Sequence, residues 1–248
     1  CPAPGMKDSD ADALKAKATA GNIRSQLTEL GFDPKIFDDS ISEIETLLAA
    51  EDIINLAKLI SKIYGCFCPE QYDNQLNIEA HRTITAKEIE QQLQENGDSL
   101  EEYRLMCAFG TGGTSGGLSK HMNEKYGKKA VHVVFPIPGQ DVAGIRTKAK
   151  ADGLKLYNPD AYQAEHEVDF GQAKHILKFF VEKGHNIGES TALALYSILE
   201  MVSDGDKGKF IVIVADGIEK YKKNLEAMFT EQRMQVSLDE AAASVSEY

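Results

Sequence analysis

Residues 109–117 read FGTGGTSGG, which gathers five glycines into nine positions of a chain that has only 20 glycines in 248 residues. No other stretch restricts the fold so strongly. Glycine loses more freedom on ordering than any other residue and has no side chain to bury. A cluster of this kind means that backbone turns tightly or comes close to something. The flanks say where this happens. Residues 103–109, YRLMCAF, form an apolar run suited to a buried strand, and Leu118, Met122 and Tyr126 recur downstream at helical spacing. A strand–glycine–helix junction is where α/β proteins bind phosphate. The first amides of a helix lack intrahelical partners, and the helix dipole favours an anion.

Two nucleotide motifs compete for this loop. A P-loop needs Lys and then Ser or Thr after its last glycine, but Gly117 is followed by Leu118 and Ser119. A dinucleotide fingerprint needs G-x-G-x-x-G and an acid after the next strand. Gly110, Gly112 and Gly116 are spaced one residue too far, and the strand at 130–135 ends in Pro-Ile-Pro. A small phosphate-bearing ligand fits better than a dinucleotide.

The rest of the chain alternates strands with helices. Helices are expected over 8–22, over 42–64 with a break near Glu51, over 172–183 ended by Gly184, and over 190–202 capped at Ser190. Thr85 is expected to cap a helix through Gln94, with Glu88 completing a capping box. Strands are expected at 66–68, 103–109, 131–135 and 210–214. The last of these is continuous and β-branched, and reads as fully buried. Residues 34–37 read as a short strand. The segment 140–170 is poor in regular signals and reads as an active-site rim. The fold class is therefore α/β, a mostly parallel sheet with helices on both faces.

Three stretches divide the chain: 1–65, a remnant or partial N-terminal α/β domain; 66–222, the main α/β domain with the phosphate loop; and 223–248, a C-terminal helix with a frayed tail.

Cys66 and Cys68 flank one phenylalanine, too close for the usual C-x2-C metal hook, and read as core packing. His166, between Glu165 and Glu167, could recruit a metal but reads as a solvated loop histidine. No metal site is expected. With 39 acids against 27 bases the formal net charge is −12, which argues against nucleic acid. No stretch is long enough to span a bilayer and no signal peptide is visible, so no membrane partner and a cytoplasmic location are expected.

The motif GTGGT at 110–114 resembles the phosphate loop of the cysteine synthase and cystathionine β-synthase family, pyridoxal-phosphate enzymes of fold type II. Its neighbours extend the resemblance in order and spacing. PEQYDN at 69–74 followed by IEAH at 78–81 is similar to the family segment PQQFxNPxNPxxH, and TITAKEI at 83–89 to its continuation TTGPEI. IGEST at 187–191 resembles GISSG, and the run ending in GIEKY at 217–221 resembles the last core strand with its SGERY ending.

The resemblance implies that the cofactor is pyridoxal 5′-phosphate. It implies that Gly110, Thr111, Gly112, Gly113 and Thr114 hold the cofactor phosphate, that Gly188 and Ser190 lie near the pyridine ring, and that Gln71 and Tyr72 face a small amino-acid substrate. It also implies β-elimination and β-replacement on a serine-type amino acid, and a homodimer. His81 reads as structural.

The chain departs from the pattern in three ways. The family's hydroxyl partner of the pyridine nitrogen falls on Gly217. The final glycine of SSG becomes Ala192, with Glu189 and Thr191 nearby. The N-terminal part is short. PGMKD at 4–8 is similar to the lysine motif N-P-G-G-S-x-K-D, making Lys7 the candidate Schiff-base lysine, and TAGN at 19–22 is similar to the carboxylate loop T-S-G-N-T-G. A second alignment matches CPAPGM at 1–6 to the family's MPxxM and SQLTELG at 25–31 to LLRALGA, which puts both motifs ahead of Cys1. This second alignment fits better. On it the chain is a fragment or a reduced, non-catalytic relative that binds a phosphorylated small molecule or serves as a partner subunit.

Overall fold

The structure is a computed structural model that describes residues 19–221. Lys7, most of the helix expected over 8–22 and the stretch 223–248 lie outside the described residues. The chain divides into two units between Glu70 and Gln71.

In the first unit, four helices are packed around Phe37, Ile44 and Leu56: α1 (Ala20–Glu29), α2 (Pro34–Asp38), α3 (Ile41–Ala49) and α4 (Ile53–Tyr64). Side-chain oxygens of Thr19, Asp33 and Asp52 cap three of them by accepting from Asn22, Lys35 and Asn55 amides. The strand expected at 34–37 is therefore a helix. Asp33 caps it and Pro34 supplies its first turn, where the missing N–H is not needed. Helix α4 stops at Gly65, which adopts the left-handed conformation at φ 65°. The strand expected at 66–68 is absent. Cys66 is exposed, Cys68 half-buried and Phe67 86% exposed, so this stretch does not pack a core.

The second unit begins with one helical rod in three parts: α5 (Leu76–Ala80), a π-helical segment His81–Thr85, and α6 (Ala86–Glu95). Thr85 thus lies inside a helix and caps nothing; its hydroxyl meets His81 Nδ1 at 3.1 Å. Then follow β1 (Tyr103–Ala108), α7 (Gly113–Tyr126), β2 (Val131–Pro136), α8 (Lys148–Ala151), β3 (Ala164–Val168), α9 (Phe170–Glu182), α10 (Glu189–Ser203) and β4 (Lys209–Val212).

The strands form one parallel sheet in the order β3-β2-β1-β4, with Leu105 opposite Val131 and Ile211, and Val134 opposite His166. Alternate side chains take opposite faces. Leu105, Cys107, Val131, Val133 and Phe135 pack with Ala86, Leu118 and Met122 of α6 and α7. Met106, Val134 and Val168 pack with Ala173, Leu177, Leu193 and Ala194 of α9 and α10. This is the expected three-layer arrangement.

Two strands differ from expectation. β4 lies at a sheet edge and is half-buried rather than fully buried. β3 falls within the segment read as irregular. Its residues AEHEV are mostly polar because it is the opposite edge, where charged side chains guard unpaired backbone. His166 accordingly belongs to a strand. It is half-buried, with Nε2 2.8 Å from His132 Nδ1 and the two rings stacked at 5.1 Å.

Candidate functional site

In a parallel sheet every strand ends at the same edge, so the segments after β1, β2 and β4 meet there. The glycine loop follows β1, and α7 begins at Gly113 with Gly112 as its cap, at φ 91°. The glycines answer to neighbouring backbone as much as to any ligand. A Cβ on Gly110 would stand 2.9 Å from Gly144 O, and one on Gly112 2.8 Å from Leu156 O. On Gly113 it would overlap the Asn77 amide, and on Gly117 it would stand 2.5 Å from His81 Cβ and 2.6 Å from Ile78 O. Such approaches are closer than real Cβ contacts allow, so the loop is held between the 142–147 turn, Leu156 and the rod that carries Asn77 and His81.

The side chains keep the loop's donors directed. Thr111 Oγ1 accepts from Asn77 Nδ2 at 3.0 Å and from Gly113 N at 3.2 Å, which leaves its own hydrogen to donate. Asn77 Nδ2 also donates to Gln71 O at 2.8 Å, tying the start of the unit to the loop. Thr114 Oγ1 meets His81 Nε2 at 3.2 Å, and the same ring reaches Thr85 through Nδ1. Burial lowers the His81 pKa, so the ring is held neutral. Behind the loop, Ser115 Oγ lies 3.0 Å from Tyr162 OH. Burial raises the Cys107 thiol to about 12, so this strand cysteine is an inert packing residue.

Tyr72 and Arg146 meet at this edge. Arg146 N donates to Phe109 O at 2.8 Å, its Nη2 donates to Tyr72 OH at 2.8 Å, and its guanidinium lies 5.1 Å from the Tyr72 ring centroid. Gln71 is half-buried beside Tyr72.

The start of α10 reaches the same edge through Asn186. Its Oδ1 accepts from Ile218 N at 2.8 Å and its Nδ2 donates to Glu219 Oε1 at 2.7 Å, which fastens the segment before Gly188 to the turn after β4. A Cβ on Gly217 would overlap Asn186 Oδ1, so Asn186 occupies the space that a side chain at 217 would fill. Gly188 is the N-cap of α10, with extended backbone and no side-chain cap bond. Ser190 therefore lies inside the helix and is not its cap. Ser190 and Thr191 are 6% and 1% exposed, and neither hydroxyl has a hydrogen-bond partner among the described residues. Buried hydroxyls of this kind are normally satisfied. Glu189, 2% exposed, adds a carboxyl at the same helix start.

The structure thus brings Gly110, Thr111, Gly112, Gly113, Thr114, Gln71 and Tyr72 into one connected cluster, and through Asn186 it fastens the segment just before Gly188 and Ser190 to the turn after β4. Asn77, Arg146 and Asn186 complete the edge and were missed in the sequence. Asn77 did carry a signal, since it is the second asparagine of the NPxNP stretch. Arg146 carried none, because it sits in an irregular segment.

The donor set suits a phosphate ester with a polar ring attached. A helix start, a Thr hydroxyl with a free hydrogen and two unpartnered buried hydroxyls are present, and no acid lies within 109–117. Among the described residues no group of three His, Cys, Asp or Glu side chains could hold a metal, and no helix is long and apolar enough to cross a membrane.

Comparison with known proteins agrees with this chemistry. The chain matches the model of the pyridoxal-phosphate dependent enzyme family over residues 17–217. It is 28% identical over 173 residues to a probable cysteine synthase of Bacillus subtilis, covering 66% of this chain and 55% of that one. Over 126 residues it is 32% identical to cystathionine beta-synthase of Saccharomyces cerevisiae, covering 45% of this chain and 25% of that one. The chain spans about half the length of the cysteine synthases it matches. Among solved structures, O-ureido-L-serine synthase superposes with a TM-score of 0.58 at 19% identity, covering 76% of this chain and 60% of that one. A hydrogen sulfide-producing enzyme from Fusobacterium nucleatum gives 0.58 at 22%, with 74% and 57% covered. The strand–glycine–helix edge, the ordered run of motifs along it and the family match converge: the chain belongs to the pyridoxal-phosphate dependent enzymes, as a fold type II protein of the cysteine synthase kind whose cofactor is pyridoxal 5′-phosphate.

Proposed function

We propose that this chain builds the phosphate- and substrate-binding side of a site for β-elimination and β-replacement on a serine-type amino acid. The observation that carries the reading is the convergence of the α7 start, Thr111 and the Tyr72–Arg146 pair on one edge of the sheet. The amides at the α7 start and the Thr111 hydroxyl would hold the phosphate, in the field of the helix dipole. His81 keeps Thr114 oriented, and Asn77 keeps Thr111 oriented, so neither hydroxyl must reorganise on binding. Ser190 and Thr191 offer hydroxyls to the polar ring. Gln71 would contact the amino acid. When bound, pyridoxal phosphate supplies an electron sink for negative charge developing at the substrate Cα. With Gly217 at the family's hydroxyl position, this chain offers the ring nitrogen no side chain from that residue.

A second reading, a non-catalytic relative, is favoured by one observation: from Lys35 to Lys209 no lysine is buried. A lysine nucleophile needs a desolvating pocket to lower its pKa. The experiment is to supply pyridoxal phosphate and O-acetyl-L-serine and follow release of pyruvate, or of cysteine when sulfide is present. On the catalytic reading turnover follows, and Gln71→Ala then lowers kcat/KM about tenfold or more while cofactor affinity stays near normal. Tight cofactor binding without any turnover would reject the catalytic reading and leave the second.

A further inference from the structure

The His81 ring stands between two threonine hydroxyls, with Thr85 Oγ1 3.1 Å from Nδ1 and Thr114 Oγ1 3.2 Å from Nε2. Thr114 lies in the first turn of α7. Thr85 reaches the glycine loop only through that ring.

The Thr85 hydroxyl departs from the habit of helical threonines, which donate to the carbonyl four residues back. Thr28, Thr46 and Thr83 do so to Arg24 O, Ser42 O and Glu79 O, at 2.8, 2.8 and 2.6 Å. Four residues before Thr85 is His81. Its carbonyl accepts from Ala86 N, five residues on, which makes the π-helical turn. The Thr85 hydroxyl meets the His81 side chain instead, and it has no other hydrogen-bond partner among the described residues. Single π turns inside α-helices recur at functional sites.

The hydrogens along this row can be counted. Burial holds the ring neutral, so it carries one N–H. Two arrangements follow. In the first, Thr85 donates to Nδ1, the Nε2–H donates to Thr114 Oγ1, and the Thr114 hydrogen is left over. In the second, Thr114 donates to Nε2, the Nδ1–H donates to Thr85 Oγ1, and the spare hydrogen belongs to Thr85. Only the first leaves a donor at the start of α7. The second would turn Thr114 lone pairs towards any anion bound there.

We propose that Thr85 is a positioning residue: it holds His81 as the Nε2–H tautomer, and so makes Thr114 a hydrogen-bond donor to a phosphate at the α7 start. The inference rests on the reading of the glycine loop as the phosphate site. Successive hydrogen bonds pointing one way polarise one another, which strengthens the last donor of the row.

The test pairs calorimetric titration of the full chain with nitrogen NMR of the His81 ring. The titrants are pyridoxine 5′-phosphate and pyridoxine. The first carries the phosphate but no aldehyde, so it forms no bond to a lysine. His81→Gln identifies the ring signals by their loss. In the wild-type phosphate complex the ring proton should sit on Nε2, a reading that needs no folded variant at position 85. Thr114→Val, which removes the donor outright, should weaken pyridoxine 5′-phosphate about tenfold to a hundredfold and sets the upper limit. Thr85→Val keeps the side-chain shape without the hydroxyl. It should weaken pyridoxine 5′-phosphate about threefold to tenfold, leave pyridoxine unchanged and release the ring proton from Nε2. Thr85→Ser should restore both the affinity and the tautomer.

A ring protonated on Nδ1 in the wild-type complex would overturn the proposal. So would a folded Thr85→Val with unchanged affinity for pyridoxine 5′-phosphate, or one that loses pyridoxine equally, since that loss would be structural. Wild type that binds the two compounds equally would reject the loop reading itself, and the role of Thr85 with it.

Discussion

At the scale of single residues, burial sets the charge state of the histidines beside the glycine loop and on the sheet. His81, beside the glycine loop, and His132, on β2, are both held neutral by burial, His132 down to about 4 with His166 and Arg104 adding repulsion. Asp206 opposes that effect on His132 only weakly, being committed to Arg104, whose guanidinium pulls it down to about 2. A histidine with a folded pKa below its unfolded value binds its proton more readily when unfolded. Its contribution to stability is complete above about pH 6.5 and is lost as pH falls from there towards the folded pKa. The lowered carboxylates, such as Asp98 and Asp169, act later, because their stabilisation persists until pH drops through the ordinary carboxylate range. Urea midpoints should therefore fall between pH 7 and pH 5, and His132→Gln should make that decline shallower. It should not abolish it, since His81, His121, His166 and His175 are shifted in the same direction. An unchanged slope in the variant would remove His132 from the account.

At the scale of elements, the central contact is α7 against the rod that runs from Leu76 to Glu95. Gly116 and Gly117 both face that rod, but they are not equivalent. A methyl on Gly116 would meet the flexible end of Ile78 at 3.0 Å, whereas one on Gly117 would meet His81 Cβ and backbone. Gly117→Ala should lose about 1–3 kcal/mol to overpacking in chemical denaturation. Gly116→Ala should be near neutral, because Ile78 can turn aside and alanine gains up to about 1 kcal/mol of helix propensity. Equal effects would mean that the packing argument is wrong.

The same contact shows what the sequence could and could not convey. The glycine loop, β1, β2, α7, and the helix pair broken at Glu51 were all legible, because period and punctuation are local. That several glycines serve helix packing was not legible, because it depends on a partner more than thirty residues away. β3 was missed because a polar edge strand carries no alternation, and the strand expected at 66–68 was a false one, an exposed cysteine and phenylalanine followed by a half-buried cysteine. Thr85 matched a capping box, but the helix was already under way when the chain reached it. Of the site, the loop and Gln71–Tyr72 were legible through a resemblance of motifs. Arg146 and Asn186 act through tertiary contacts that no local pattern announces.

At the scale of the whole molecule, a formal charge of −12 repels anions at long range. Any affinity for a phosphate ester must come from the local donors at the carboxyl edge. Raising salt should then leave that affinity nearly unchanged, whereas attraction by a general positive field would be screened away. The measurement that tests this most directly is paired calorimetric titration of the full chain with pyridoxine 5′-phosphate and with pyridoxine, which differ only in the phosphate. Several charge-assisted hydrogen bonds at a helix start should make the phosphate ester bind about a hundredfold tighter or more, with one site per chain. Equal affinities for the two compounds would contradict the assignment of the glycine loop as the cofactor phosphate site.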